Sequence, residues 1–116
     1  MTETPLERPV RSTVVRSYAS ILPAEPAAVF AVLIAHLPEG AAVDDARQFA
    51  AVQGGWWYRS EYAVLADEEG ARIEHEIVNF AAPFHWLGAI TGRAEIAASP
   101  YAFQDLLTAM ADDLGL

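Results

Sequence analysis

The sequence predicts an α+β fold, with helices laid against one face of an antiparallel sheet. Three observations lead to it. A β-branched and aromatic run is followed at once by a helical stripe that begins at a proline. Two alternating segments flank the turn Asp67-Glu68-Glu69-Gly70. A second amphipathic stripe runs to the carboxyl end. The 116 residues fit one compact domain. We divide them into a loose polar tail, residues 1–11 with Pro5 and Pro9, and a single domain over residues 12–116.

The first strand is expected in Ser12 to Ile21, "STVVRSYASI". A helix follows, with Glu25 at an N-cap-like position and Pro26 at the first helical position, where the missing N–H costs nothing. Val29, Phe30, Leu33, Ile34 and Leu37 recur at helical spacing until Pro38-Glu39-Gly40 stops them. In residues 41–53, Ala46, Phe49, Ala50 and Val52 suggest a short second helix beginning near Asp44 or Asp45. Gly54-Gly55 breaks the chain. "WWYRSEYAVLA" then reads as a strand and "ARIEHEIVNF" as its hairpin partner, with Asp67 and Gly70 supplying the turn chemistry. Residues 81–98 are irregular, with either a short strand near Arg93–Ala97 or an extension of the last helix. Ser99 reads as the N-cap of that helix, with Pro100 next to it. Phe103, Leu106, Leu107, Met110 and Leu114 form its apolar stripe, and Gly115 stops it.

Composition narrows the function classes. The formal net charge is −9, and all seven basic residues are arginines. Without lysine there is no Schiff-base chemistry and no P-loop. Without a basic stripe, nucleic acid and anionic membrane surfaces are disfavoured as partners. The absence of cysteine excludes disulfides, thiolate nucleophiles and cysteine-ligated zinc. No apolar run reaches the ~20 residues that span a bilayer, and the polar start has no apolar signal core. The expectation is a cytoplasmic protein, and the alanine- and arginine-rich composition resembles high-GC bacterial coding.

The triplet Glu74-His75-Glu76 looks like a metal or acid–base site, but strand geometry separates its members. Alternation puts Arg72, Glu74, Glu76 and Val78 on one face and Ile73, His75, Ile77 and Asn79 on the other. We therefore expect no metal and no cofactor there. The isoleucine face should point inward and carry His75 with it. An inward histidine is either a core residue satisfied by one hydrogen bond or a pocket acid, base or donor. In the preceding strand Trp56, Tyr58, Ser60, Tyr62 and Val64 share the presumed inner face. Their rings either fill a small core or orient a ligand through their polar ends. Arg59 and Glu61, on the other face, are expected to pair with Arg72, Glu74 or Glu76. His85 and Trp86 fall in the irregular segment, as a lid over the core or the mouth of a pocket. His36 ends the first helix, where a cation suits the dipole.

These segments carry a resemblance. "RSYASILPAEPAAVFAVL" resembles the opening strand and first helix of the START-like superfamily (SRPBCC; birch-pollen-allergen-like, polyketide cyclase/dehydratase-like), including its Val-Phe pair, here Val29-Phe30. "GARIEHEIVNF" resembles the last strand of that fold, and "SPYAFQDLLTAMADDLG" its long terminal helix. The resemblance implies a helix-grip architecture: a curved antiparallel sheet around the terminal helix, with a deep apolar pocket between them. Members bind lipids, steroids or polyketides, and a minority catalyse cyclisation or dehydration. They share no single catalytic set, so none is carried over. Residues 40–55 leave room for at most one short element, which makes this a shortened member with a reduced strand count. A ketosteroid-isomerase-like cone is the structural rival, but that fold usually opens with helices.

The leading expectation is a binding module for a hydrophobic, lipid- or polyketide-like small molecule. The residues expected to line its site are Trp56, Tyr58, Tyr62, Ile73, His75, Ile77, Phe103, Leu107 and Met110. The alternatives are a cyclase/dehydratase-type enzyme with His75 as acid–base, and a pocketless dimerising interaction domain. Missing strands leave open edges, so a homodimer is expected through the sheet edge or the aromatic segments Trp56–Tyr58 and Phe84–Trp86.

Overall fold

The computed structural model describes residues 4–54, 58–80 and 93–116. Within them the chain runs β1 (Thr13–Leu22), α1 (Pro26–His36), β2 (Ala42–Asp44), β3 (Phe49–Gly54), β4 (Tyr58–Asp67), β5 (Gly70–Asn79) and α2 (Arg93–Asp113). The strands form one antiparallel sheet in the order β1-β5-β4-β3-β2, so the first strand lies beside the last. Both helices pack on the same face. The expected α+β class is therefore the observed one, with the terminal helix against the sheet.

Local chemistry explains most of the boundaries. Glu25 is the N-cap of α1 in an extended conformation, and Pro26 opens the helix. Val29, Phe30 and Leu33 form its buried stripe. The β4–β5 hairpin turns on Glu68-Glu69, with Asp67 Oδ2 accepting from the Glu69 N–H at 3.0 Å. Gly70 sits at φ +135°, and a Cβ there would lie 2.4 Å from the Leu22 carbonyl oxygen. Only glycine fits that conformation and that approach.

Residues 41–53 are not a helix. They form the β2–β3 hairpin, with a turn held by the Arg47 N–H on Asp44 Oδ1 (3.1 Å) and Gln48 in the left-handed region (φ +49°). The segment holds two strands where the sequence left room for one short element. The physical reason is burial on both faces. Ala50 and Ala51 point to opposite sides of the sheet and both are 0% exposed. Such a strand shows no alternation, and its alanines favour helix until pairing with β4, from Phe49–Ala63 to Gly54–Tyr58, overrides them.

Residues 4–8, an amino-terminal arm within the segment expected as a loose tail, lie against part of the outer face of the sheet, over β3 and β4. The Thr4 N–H donates to the Gly40 carbonyl, and the Gln53 N–H donates to Thr4 Oγ1. Arg59 is 0% exposed beneath the arm. Its guanidinium donates to Glu61 Oε2 (2.8 Å), to the Pro5 and Leu6 carbonyls and to Gln53 Oε1. Arg8 grips both oxygens of Glu61 and reaches Glu76 Oε1 at 3.4 Å. Arg59 and Glu61 thus pair with each other, and Glu61 also with Arg8, not with β5 as expected. Arg72 and Glu74 form a separate exposed pair at 3.0 Å.

Helix α2 begins at Arg93, so the irregular segment does extend the last helix. Pro100 lies inside it, and Ser99 is not an N-cap. Proline at position 100 removes the N–H that would reach the Ile96 carbonyl. Ser99 Oγ donates to that carbonyl instead, at 2.6 Å, and this lets the helix continue. Tyr18 Oη lies 2.7 Å from Ser99 Oγ; because the serine proton goes to Ile96, the tyrosine is the donor. The seam is thereby fastened to β1.

Breaking the buried cluster should cost stability in proportion to what is left unpaired. Glu61→Gln is expected to lose about 3 kcal/mol, the low end for a broken buried pair, because Pro5 and Leu6 still accept from Arg59. Arg8→Ala, at a more exposed position, should lose about 1 kcal/mol or less. Urea denaturation of both variants, with unchanged m-value, checks the order.

Candidate functional site

The core is solid at one end of the sheet and open at the other. Around α1, Leu22, Val29, Leu33, Val64, Ile73, Leu107 and Met110 pack as one cluster. Beyond it, between the sheet, the end of α1 and α2, lies a cleft of about 480 Å³. Its floor is the inner face of the sheet: Val52 from β3, Tyr58, Ser60 and Tyr62 from β4, and His75 and Ile77 from β5. Ile96, Ala98, Ser99, Ala102, Phe103 and Leu106 form the α2 wall, and His36, Leu37 and Pro38 form the end wall. The opening follows from side-chain size. The helix offers alanine at 98 and 102 and serine at 99 alongside the cleft, and the large Leu107 and Met110 where it packs solidly.

Register places His75 at the centre. It lies opposite Tyr62 on β4 and opposite Tyr18 on β1. Its ring is stacked on Tyr62 (centroids 4.4 Å, planes 10° apart) and on Phe103 of α2 (5.2 Å, 26°). Tyr18 flanks it at 6.0 Å. Nδ1 lies 3.1 Å from the backbone oxygen of Glu61. A carbonyl only accepts, so Nδ1 carries the proton and Nε2 is the acceptor of a neutral ring. Burial holds the His75 proton affinity below its ordinary value; the bond to Glu61 and the charge of Glu76 oppose this. Burial pushes the Tyr62 phenol up, against the Ser60 hydroxyl beside it, so it stays protonated at neutral pH.

The alternation argument for Glu74-His75-Glu76 fits this arrangement. His75 is inside, while Glu76 meets Arg8 and Ser17 on the outer face and Glu74 meets Arg72. Of the residues expected to line a site, Tyr58, Tyr62, His75, Ile77 and Phe103 border this cleft. Ile73, Leu107 and Met110 belong to the solid core instead. Trp56, like Trp57, Phe84, His85 and Trp86, lies outside the described residues. The expected set omitted the end wall of His36, Leu37 and Pro38, Val52 and Ser60 on the sheet, and Ile96, Ala98, Ser99, Ala102 and Leu106 on α2. The two alanines and Ser99 carry a signal, since they interrupt the large apolar residues of the α2 stripe. His36 Nε2 pairs with Asp113 Oδ2 at 2.7 Å across the ends of the two helices.

The titrations have a definite sign. His75 has a folded pKa below its ordinary 6.5, so the stability tied to its neutral form is complete above 6.5 and is lost as pH falls through the folded value. For Glu61, burial alone would raise the pKa, but Arg8 and Arg59 together hold it below 4.5. The stability it contributes is complete above 4.5 and is lost in stronger acid. Urea midpoints should therefore fall in two stages on acidification. His75→Phe, which keeps the stack, should flatten the upper stage alone. Comparison with known protein families, with curated proteins and with solved structures returns no match, so the functional reading rests on this chain's own geometry.

Proposed function

We propose that this chain is a binding module for a hydrophobic small molecule, held in the cleft between the sheet and α2. The observation that carries it is the cleft itself, about 480 Å³ bounded largely by aromatic and aliphatic side chains beside a packed apolar cluster. Ligand sites have this size and character, with a few placed polar groups among apolar walls. The START-like reading is consistent with an antiparallel sheet that carries the terminal helix on one face. An enzymatic variant of the same site would use His75 as base. Catalysis of cyclisation or dehydration needs several convergent polar groups with tuned proton affinities. Among the described lining groups, burial holds the His75 imidazole toward its neutral form and keeps the Tyr62 phenol protonated, which favours binding over chemistry.

A polarity-sensitive apolar dye should bind the full chain with fluorescence enhancement. Ala102→Trp, at an exposed position on the α2 wall, should abolish that binding and leave the denaturation midpoint unchanged. A folded protein that takes up no dye at tens of micromolar, within the range of weak specific binding, overturns the reading.

We also propose that the chain is a homodimer. Of the two edge strands, β2 has three residues and β1 has ten, and among the described residues no strand of the sheet pairs with the outer side of β1. Val14 is exposed on it and Val10 just before it. Such an edge invites pairing with a second copy. Light scattering should give a dimer mass, and a monomer mass that persists at about 100 μM, far above the dissociation constants of stable dimers, overturns it.

A further inference from the structure

The reading of the cleft as a ligand site can be taken one step further, to the chemistry of what it holds. We infer that the cleft selects an uncharged apolar molecule carrying a hydroxyl or N–H group, which donates a hydrogen bond to Nε2 of His75.

Three features carry this. First, the tautomer is fixed by geometry. Nδ1 is bonded at 3.1 Å to the Glu61 carbonyl, which is held in the β4–β5 ladder and cannot turn away. A flip of the ring would replace that donor by a carbon. The flip is also hindered by Tyr62 and Phe103 stacked on the ring at 4.4 and 5.2 Å. Second, the ring is 5% exposed and lines the cleft, and among the described residues no partner takes Nε2. A ligand that displaces water from this nitrogen without donating to it leaves a buried acceptor unsatisfied. Third, the described lining offers no counterion. Besides His75 itself, the one described lining group able to carry a cation is His36, and it already faces Asp113 at 2.7 Å. Arg59, Arg8, Glu61 and Glu76 are all spent on each other on the opposite face of the sheet. A carboxylate or ammonium ligand would lose its hydration with no opposite charge among the described lining residues to replace it. The low proton affinity that burial gives His75 agrees with a neutral ring in the same role.

The inference rests on the binding reading, and its test separates the two. The full chain is titrated at neutral pH with three fluorescent probes of one size: 1-hydroxypyrene, 1-methoxypyrene and pyrene-1-carboxylate. Hydroxypyrene is expected to bind about tenfold tighter than methoxypyrene, a typical gap when a buried acceptor is left unpaired. Pyrenecarboxylate should be weakest. In His75→Phe the two neutral probes should bind equally. Because that variant also removes a hydrogen bond in the core, long-range proton–nitrogen NMR of the unmodified chain gives an independent readout. It should show His75 with Nδ1–H and a bare Nε2, whose resonance moves on addition of hydroxypyrene and not of methoxypyrene. Equal binding of the neutral probes to the unmodified chain, tightest binding of the carboxylate, or an Nε2–H tautomer overturns the inference and leaves the cleft as a ligand site. Failure of all three probes to bind the folded chain overturns both.

Discussion

Two residues of β4 and two of β5 hold the molecule in register. Tyr62 lies opposite His75 on the inner face, and Glu61 lies opposite Glu76 on the outer face. The first pair is favourable, two rings stacked 10° from parallel. The second is not, because like charges directly across an antiparallel ladder repel. Arg8 removes that conflict by bonding both carboxylates at once, and Arg59 neutralises what remains on Glu61. A slip of one residue would turn Tyr62 outward and carry Glu61 into the apolar layer. The arm that supplies Arg8 is therefore part of what specifies the inner face, although it touches only the outer one. Glu61 joins the two sides directly: its carboxylate binds the arm and its carbonyl fixes the proton of His75.

This division explains which parts of the molecule could be read from sequence. The β5 alternation, the Asp67–Gly70 turn and Pro26 at the start of α1 are local, and each is where the residues place it. What could not be read depends on partners far along the chain. Glu61 and Arg59 look like surface charges until residues 5, 6 and 8, over fifty positions earlier, cover them. Ala50 and Ala51 look helical because both sides of β3 are interior and the strand therefore shows no alternation. Pro100 looks like a helix start because its missing hydrogen bond is replaced by a side chain, Ser99, which propensity does not anticipate.

The candidate site was half legible for the same reason. Strand alternation assigns a face, and it correctly turns Tyr58, Tyr62, His75 and Ile77 toward α2. It does not say where along that face the two layers touch and where they part. That depends on side-chain volume in the opposite layer. Phe103 meets the sheet at His75, while Ile73, Leu107 and Met110 close the far end completely. The cleft begins where α2 turns to alanine and serine.

The Ser99–Pro100 seam gives that wall a further property. A helix interrupted by proline would ordinarily bend or fray where its i to i−4 bond is missing. Here Tyr18 donates to Ser99 and Ser99 to Ile96, so the weak point is also a place where α2 is hydrogen-bonded to the sheet. Tyr18 also stacks on Phe103 at 5.9 Å and flanks His75 at 6.0 Å. The seam, the aromatic stack and the imidazole are thus one connected assembly. The separation of the two layers beside His75 is fixed by hydrogen bonds and ring contacts, not by apolar packing alone. A wall held in this way can border an unfilled space without collapsing into it, which a purely apolar contact between a small-residue helix and a sheet would tend to do.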